Sequence, residues 1–243
     1  MSNTLTNILK TVANNYLTEK QKSFKNNELA YKIRKTFPDD ISSLLSLDNN
    51  KFIAVGSAGK GNWTSRPWFA VLHKSLCRGK QKASAEQGYY PVLTFSYNFK
   101  ECGIALGQGE HSVREQYKNK TFDILKSRAI ILANKVPEYK KNFIESPVMK
   151  LNKETASTHL KKVGERWMAS CAFGKIYKLD KLPPENIIIQ DLQELMRLYE
   201  ISIERGGTSE PNIVDSTNIS SSDETLEKII IQHIDNEKAV IRT

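Results

Sequence analysis

Apolar side chains recur every three or four residues in several parts of the chain, and this spacing predicts amphipathic helices. The first apolar stripe comprises Leu5, Ile8, Leu9, Val12 and Tyr16. Further helices are predicted over residues 26–37, over residues 113–135 and from Pro183-Pro184 to about residue 206. Pro38 and Pro137 are expected to end the first two of these, because proline lacks the backbone N–H that continues a helix.

Short apolar and aromatic runs, bounded by glycine, proline or polar residues, predict β-strands between the helices. These runs cover residues 51–56, 67–73, 89–97, 103–106 and 167–179. Strand alternation assigns Phe69 and Phe95 to the core. The mixture predicts an α+β fold, in which a central mixed or antiparallel β-sheet is flanked by helices in a single domain with a linker tail.

The composition changes near residue 206 and suggests the domain organisation. Residues 1–205 are predicted to form one domain. Residues 206–224 are rich in serine, threonine, asparagine and aspartate, which is typical of a polar linker. Residues 225–243 have a more ordered pattern but are too few to fold alone, so we expect the start of a further C-terminal domain or an element added to the first domain.

The net charge of +9 is concentrated in the predicted domain. Residues 1–205 carry 33 basic and 20 acidic side chains, a net charge of +13, and the remainder of the chain is acidic. A domain this basic attracts polyanions over a long range. Nucleic-acid-binding, ribosome-associated and membrane-surface proteins share this property. The sequence has no run of about 18 apolar residues, so no membrane span is expected. A membrane is not among the expected partners.

The sequence contains no pattern typical of a catalytic, metal or cofactor site. Gly56-x-x-Gly-Lys60 is two residues shorter than a phosphate-binding P-loop and lacks the hydroxyl residue that follows its lysine. The four histidines are not spaced as zinc or HNH-nuclease ligands: His73, His111, His159 and His233. Cys77, Cys102 and Cys171 are odd in number and widely spaced, which predicts reduced thiols in a cytoplasmic protein. We therefore predict no catalytic residue, no metal and no cofactor in this chain.

The most informative segment is the glycine-rich stretch Gly56–Phe69. Its glycines allow close approach to another molecule, while Lys60 and Arg66 supply positive charge. Trp68 follows at once, and a second aromatic cluster lies in residues 89–97. Basic groups interleaved with flat rings suit a protein that grips a phosphate backbone and stacks on a base.

Three blocks of this region resemble the MrcB-like N-terminal domain family, the DNA-binding domains of McrB-type, type IV modification-dependent restriction systems. They are Ala58-Gly-Lys-Gly-Asn-Trp-Thr-Ser-Arg-Pro-Trp-Phe-Ala70, Gly88-Tyr-Tyr-Pro-Val92 and Ile104-Ala-Leu-Gly-Gln-Gly109. The similarity is clearest over residues 51–110 and extends more weakly to about residue 205.

This resemblance implies a domain that recognises modified cytosine, either 5-methyl or 5-hydroxymethyl, in duplex DNA by flipping the base into an aromatic pocket. It implies base-pocket roles for Trp68, Tyr90 and Thr94. It implies DNA-binding roles for the loop residues Ser57, Gly59, Lys60, Gly61, Asn62, Ser65 and Arg66. Lys60 replaces a tyrosine of a family member, so a different group is expected to occupy the gap left by the base. Thr94 replaces a leucine, and its hydroxyl makes the pocket more polar, which is expected to favour hydroxymethylcytosine or another modification over 5-methylcytosine.

The resemblance also implies a fused or associated nuclease or GTPase module and a role in antiviral restriction. Two alternatives remain open. The chain could be the specificity half of an HNH-type restriction nuclease whose catalytic domain lies beyond it, or a generic basic domain that binds nucleic acid, RNA included, or protein. Trp68 and Tyr90 could instead be core residues, because aromatic side chains in strands usually are, but the resemblance favours the pocket roles.

Overall fold

The computed structural model describes residues 3–77, 85–86, 88–147 and 166–206. The chain divides into two compact units, Met1–Glu210 and Pro211–Thr243, and every described residue belongs to the first. The predicted linker beyond residue 206 and the predicted element at 225–243 lie outside the described residues, so these domain boundaries stay a prediction.

The described residues form six labelled helices and a six-stranded sheet. The helices are α1 (Leu5–Glu19), α2 (Glu28–Arg34), α3 (Thr36–Leu44), α4 (His111–Tyr117), α5 (Thr121–Lys135) and α6 (Glu185–Glu204). The strands are β1 (Phe52–Ser57), β2 (Trp68–His73), β3 (Tyr89–Phe95), β4 (Glu101–Gln108), β5 (Ile144–Glu145) and β6 (Phe173–Lys178). Residues 166–170 are also helical. No helix in the described ranges is long and apolar enough to cross a bilayer.

All strand pairs are antiparallel, in the order β1-β2-β3-β4-β6-β5. This arrangement confirms the predicted α+β fold with helices around a central sheet. Helices α1, α3 and α6 pack against one face of the sheet. Leu5, Ile41 and Leu192 from these helices surround a small gap beside Phe69 and Leu93 of the sheet. The opposite face carries Trp68, Tyr90 and Thr94, because successive side chains of a strand point to opposite faces.

The predicted core positions are confirmed. The whole apolar stripe of α1 is buried, as are Phe69 and Phe95. Thr4 caps α1 by accepting a hydrogen bond from the Asn7 amide at 3.2 Å, which satisfies one of the free N–H groups of the first turn. Tyr16 closes the stripe with a fully buried ring, and its hydroxyl contributes to the candidate site.

Three predicted boundaries are wrong. The helix predicted over 26–37 is two helices, and Pro38 lies in the first turn of α3, where a missing N–H costs little. The helix predicted over 113–135 is interrupted at Lys118, whose φ is +46°. The strand predicted over 167–179 covers only β6, since residues 166–170 are helical and the Ser170 hydroxyl donates to the Trp167 carbonyl at 2.7 Å.

Candidate nucleic-acid interface

The glycine-rich segment between β1 and β2 forms a closed loop with a narrow neck. The Thr64 amide donates to the Ala58 carbonyl at 2.8 Å, and the Gly59 amide donates to the Ser57 hydroxyl at 3.2 Å. Ala58 itself is fully buried. The loop therefore leaves the sheet as a preformed turn.

Two aromatic side chains attach this loop to the helical layer. The Tyr16 hydroxyl contacts the carbonyls of Thr64 at 3.0 Å and Ala58 at 3.3 Å, so α1 holds both sides of the neck. The Trp63 indole N–H donates to the Lys22 carbonyl at 3.0 Å, and its ring packs edge-on against Tyr16 and Phe24. Trp63 is thereby an anchor of the loop.

The exposed tip of the loop is Lys60-Gly61-Asn62. Gly59 has a φ of +123°, and a Cβ atom there would collide with the backbone carbonyl of Asn62, so only glycine fits this position. Gly61 also has a positive φ, but open space surrounds the position of its missing Cβ. The loop thus presents a lysine and an amide on a tight turn with free space around it.

A concavity forms on the sheet face opposite the Phe69 layer. Across from Tyr90, Val92 and Thr94, strand β4 places only Gly107, Ala105 and Gly103 on this face. A Cβ at Gly107 would come within 3.2 Å of Val92. Because these positions lack bulk, the space above the middle of the sheet is left unfilled by side chains from β4.

This concavity is a cavity of about 470 Å³. The volume lies in the range of small-molecule sites. Its aromatic lining comes from Trp68, Tyr90 and Trp167, and its polar lining includes Arg66, Gln108 and Glu110. The cavity therefore combines flat apolar rings with a few hydrogen-bonding groups.

The sheet register brings together the three residues predicted for the base pocket. Trp68 lies directly opposite Thr94 on β3 and Ser57 on β1, and Tyr90 shares the face of Thr94; Trp68, Tyr90 and Thr94 all line the cavity. The Tyr90 hydroxyl donates to the Ala85 carbonyl at 2.6 Å. The Thr94 hydroxyl donates to the Pro67 carbonyl at 2.9 Å, so it can offer a ligand only its lone pairs.

The predicted DNA-binding residues fall into two groups. Ser65 and Arg66 line the cavity, whereas the others lie in the neck and tip of the loop. The second group comprises Ser57, Gly59, Lys60, Gly61 and Asn62. Thr64 also contributes to the cavity wall, so loop and cavity form one continuous surface.

Arg66 lies deeper than its loop neighbours, with only 6% of its surface exposed. Its guanidinium sits 4.7 Å from the ring centroid of Tyr97 and 5.2 Å from that of Trp167. Burial lowers the pKa of Arg66, and the nearby Glu110 carboxylate acts in the opposite direction. The side chain thus presents a largely desolvated cation held by two aromatic rings.

Sequence reasoning missed several cavity residues because they come from distant parts of the chain. Trp167 belongs to the short helical segment before β6, and Glu110 and His111 begin α4. The Arg166 guanidinium contacts the Glu110 carboxylate at 3.2 Å and so joins these two walls. Nothing in the periodicity of residues 110–111 or 166–167 indicates that they meet; only the fold does.

The described residues offer no arrangement suited to metal binding or to nucleophilic catalysis by cysteine. They contain no cluster of three or more histidine, cysteine or acidic side chains that could hold a metal ion. Cys102 and Cys171 are buried, and burial raises the pKa of each thiol to about 12, so neither forms a thiolate near neutral pH.

Comparison with known proteins gives one positive finding. A family model described as "MrcB-like, N-terminal domain" matches residues 11–204. This range includes the loop, every cavity-lining residue and all six strands of the sheet. No curated protein matches the chain.

Proposed function

The chain belongs to the MrcB-like N-terminal domain family, and we propose that it recognises modified cytosine in duplex DNA by flipping the base into the cavity beside Trp68. Family membership supports a McrB-type DNA-binding domain of restriction systems. The modification, the flipping step and the residue roles are the proposal.

The observation that carries the proposal is the continuity of a basic, glycine-rich loop with a ring-lined cavity. Thr64, Ser65 and Arg66 lie at the end of the loop and in the cavity wall, while Lys60 lies at the exposed tip. A loop that contacts the backbone beside the flipped nucleotide would thus be connected directly to the site that holds its base. Such an arrangement suits proteins that inspect one nucleotide of a duplex.

The energetics of this step are reasonable. Unstacking and unpairing one base costs a few kcal/mol. Stacking on an aromatic side chain returns about 1–3 kcal/mol per base. Trp68 supplies a half-buried ring and Tyr90 a largely buried one on the same wall, so Trp68 is the ring on which a base would stack. Phosphate contacts by Lys60 would add a salt-dependent term. Together these contributions can offset the cost of extrusion.

The pocket chemistry extends the proposal to the modification itself. Thr94 lines the cavity, and its hydroxyl already donates to the Pro67 carbonyl. Its remaining lone pairs can accept a hydrogen bond from the hydroxyl of 5-hydroxymethylcytosine, whereas the methyl of 5-methylcytosine has no such donor. We therefore expect binding of 5-hydroxymethylcytosine to be at least as tight as binding of 5-methylcytosine.

Binding to matched duplexes tests the proposal. Fluorescence anisotropy would compare one duplex carrying cytosine, 5-methylcytosine or 5-hydroxymethylcytosine at a single position. We expect tighter binding to both modified duplexes. Trp68→Ala should weaken modified-duplex binding about 5- to 150-fold through lost stacking. Phe122→Ala removes an exposed aromatic ring of α5 and should leave binding unchanged.

The same assay addresses the open alternatives. Equal affinity for unmodified and modified duplexes would refute the proposal, and efficient competition by single-stranded RNA would favour a generic basic domain. Incubation with modified DNA and Mg²⁺ should give no cleavage. We propose that cleavage requires a nuclease or GTPase module, fused to or associated with this domain.

A further inference from the structure

Arg66 is a buried arginine in the lining of the cavity. Only 6% of its surface is exposed, and its guanidinium lies against the rings of Tyr97 and Trp167 in the wall of the cavity. Among the described residues, no hydrogen bond or ion pair involves its guanidinium. The nearby Glu110 carboxylate is paired with Arg166.

A buried guanidinium with free N–H groups is costly unless a ligand supplies acceptors. The group is planar and presents five donors in a fixed fork, so its best complement is a pair of adjacent acceptor atoms in one plane. The two flanking rings hold the guanidinium by cation–π contacts without occupying any of these donors. The cavity therefore contains a positioned donor fork for which the protein supplies no acceptor in the described part of the chain.

Cytosine carries such an acceptor pair. Its ring N3 and O2 are adjacent on the Watson–Crick edge, and the C5 substituent lies on the opposite side of the ring. Thymine has the same C5 methyl group as 5-methylcytosine, but its N3 carries a hydrogen and would oppose the donor fork. The Watson–Crick edge of a flipped base is fully available to a protein, because base pairing no longer hides it.

Resting on the proposed function, we infer that Arg66 is the residue that specifies cytosine: its guanidinium donates to N3 and O2 of the flipped base and rejects thymine. Trp68 then contacts the face of the base, and Thr94 contacts the substituent at C5. Base identity and modification are read by separate parts of one cavity.

The test compares 5-methylcytosine with thymine opposite guanine in otherwise identical duplexes. The thymine–guanine mismatch is easier to open, so flipping cost alone would favour thymine. We expect the wild-type protein to prefer 5-methylcytosine about 5- to 150-fold, the range for one good bidentate contact. Arg66→Met, which keeps length and apolar packing, should abolish this preference. Arg66→Lys, which keeps the charge and loses the fork, should reduce it strongly.

A matched control is Arg34→Met. Arg34 also lies over an aromatic ring, that of Phe24 at 5.1 Å, but it donates to the Ala30 carbonyl and does not line the cavity. This variant should retain the preference for 5-methylcytosine. Circular dichroism and thermal melting establish that each variant is folded, and Arg66→Lys decides the question if Arg66→Met does not fold.

Two results would overturn the inference, and they are distinguishable. If the wild-type protein prefers 5-methylcytosine over cytosine and Arg66→Lys keeps the full discrimination against thymine, then Arg66 does not read the base and the proposed function stands. If the wild-type protein does not distinguish 5-methylcytosine from cytosine, the proposed function fails and the role of Arg66 fails with it.

Discussion

Replacing Tyr16 by phenylalanine tests whether α1 holds the DNA-facing loop in place. The substitution removes one hydroxyl and leaves the ring, which packs against Trp63 and Phe99 at 5.2 Å. The Ala58 carbonyl keeps its bond from the Thr64 amide at 2.8 Å. The Thr64 carbonyl loses the one donor that the described residues provide for it.

The expected loss of stability follows from this difference. A net intramolecular hydrogen bond is worth about 1 kcal/mol, and a buried acceptor left unpaired costs about 1–3 kcal/mol. Thr64 is only partly buried, so water can reach its carbonyl and the cost should lie near the lower value. For a domain of this size, about 1 kcal/mol lowers the melting temperature by about 2–4 °C.

Calorimetry or circular dichroism measures the melting temperature, and anisotropy measures affinity for a 5-methylcytosine duplex. Tyr16→Phe should also weaken binding a few-fold, because a looser loop loses more conformational freedom when DNA orders it. Tyr31→Phe is the matched control, since Tyr31 is exposed on α2. Identical melting temperatures and affinities for the two variants would refute the idea that Tyr16 positions the loop.

Three further predictions concern the loop and the helical layer. Gly59→Ala should lower the free energy of unfolding by about 1–3 kcal/mol and weaken DNA binding, because φ is positive at this position and an added Cβ has no room. Gly61→Ala should lower the free energy of unfolding by less, because open space surrounds its Cβ position. Lys60→Ala should reduce the slope of log affinity against log salt by about 1 if Lys60 contacts one phosphate. Pairing with Arg205 lowers the pKa of Glu138 from 4.5 to about 2. Above pH 4.5, Glu138→Gln should therefore have a lower melting temperature than the wild type. This difference should disappear as the pH falls to about 2, because the carboxylate of the wild type becomes protonated.

Each of these predictions has a clear contradicting result. A Gly61→Ala protein that is destabilised more than Gly59→Ala would contradict the close approach of Gly59 to the Asn62 carbonyl. Lys51→Ala is the control for Lys60→Ala. Lys51 is exposed just before β1, at the end of that strand that lies away from the loop. Equal salt slopes for the two variants would show that Lys60 does not contact the DNA. A Glu138→Gln difference that grows below pH 4.5 would contradict the assigned pairing.

The parts of the fold that could be predicted depend on local patterns. The stripe of α1 and the alternation that buries Phe69 follow directly from helical and strand periodicity. The interruption at Lys118 could not be predicted, because residues 113–135 are compatible with one continuous helix by composition. A proline at position 38 is compatible both with the end of a helix and with the first turn of the next one, and sequence alone does not distinguish these positions.

The candidate site, like the fold, could be predicted only in part from the sequence. Trp68, Tyr90 and Thr94 could be brought together because neighbouring strands place them on one face, and the resemblance marked their positions. Trp167 and Glu110 could not, because each reaches the cavity only through the packing of elements that are far apart in the chain. The burial of Arg66 could not be predicted either, since arginine side chains are mostly exposed.

The most direct test of the central claim is an experimental structure of this domain bound to a duplex with a single 5-methylcytosine. The account predicts that the modified base has left the helix and lies in the cavity against Trp68, with Lys60 at the DNA backbone or in the gap left by the base. A bound duplex in which the modified base stays stacked and paired while the cavity holds no base would contradict it.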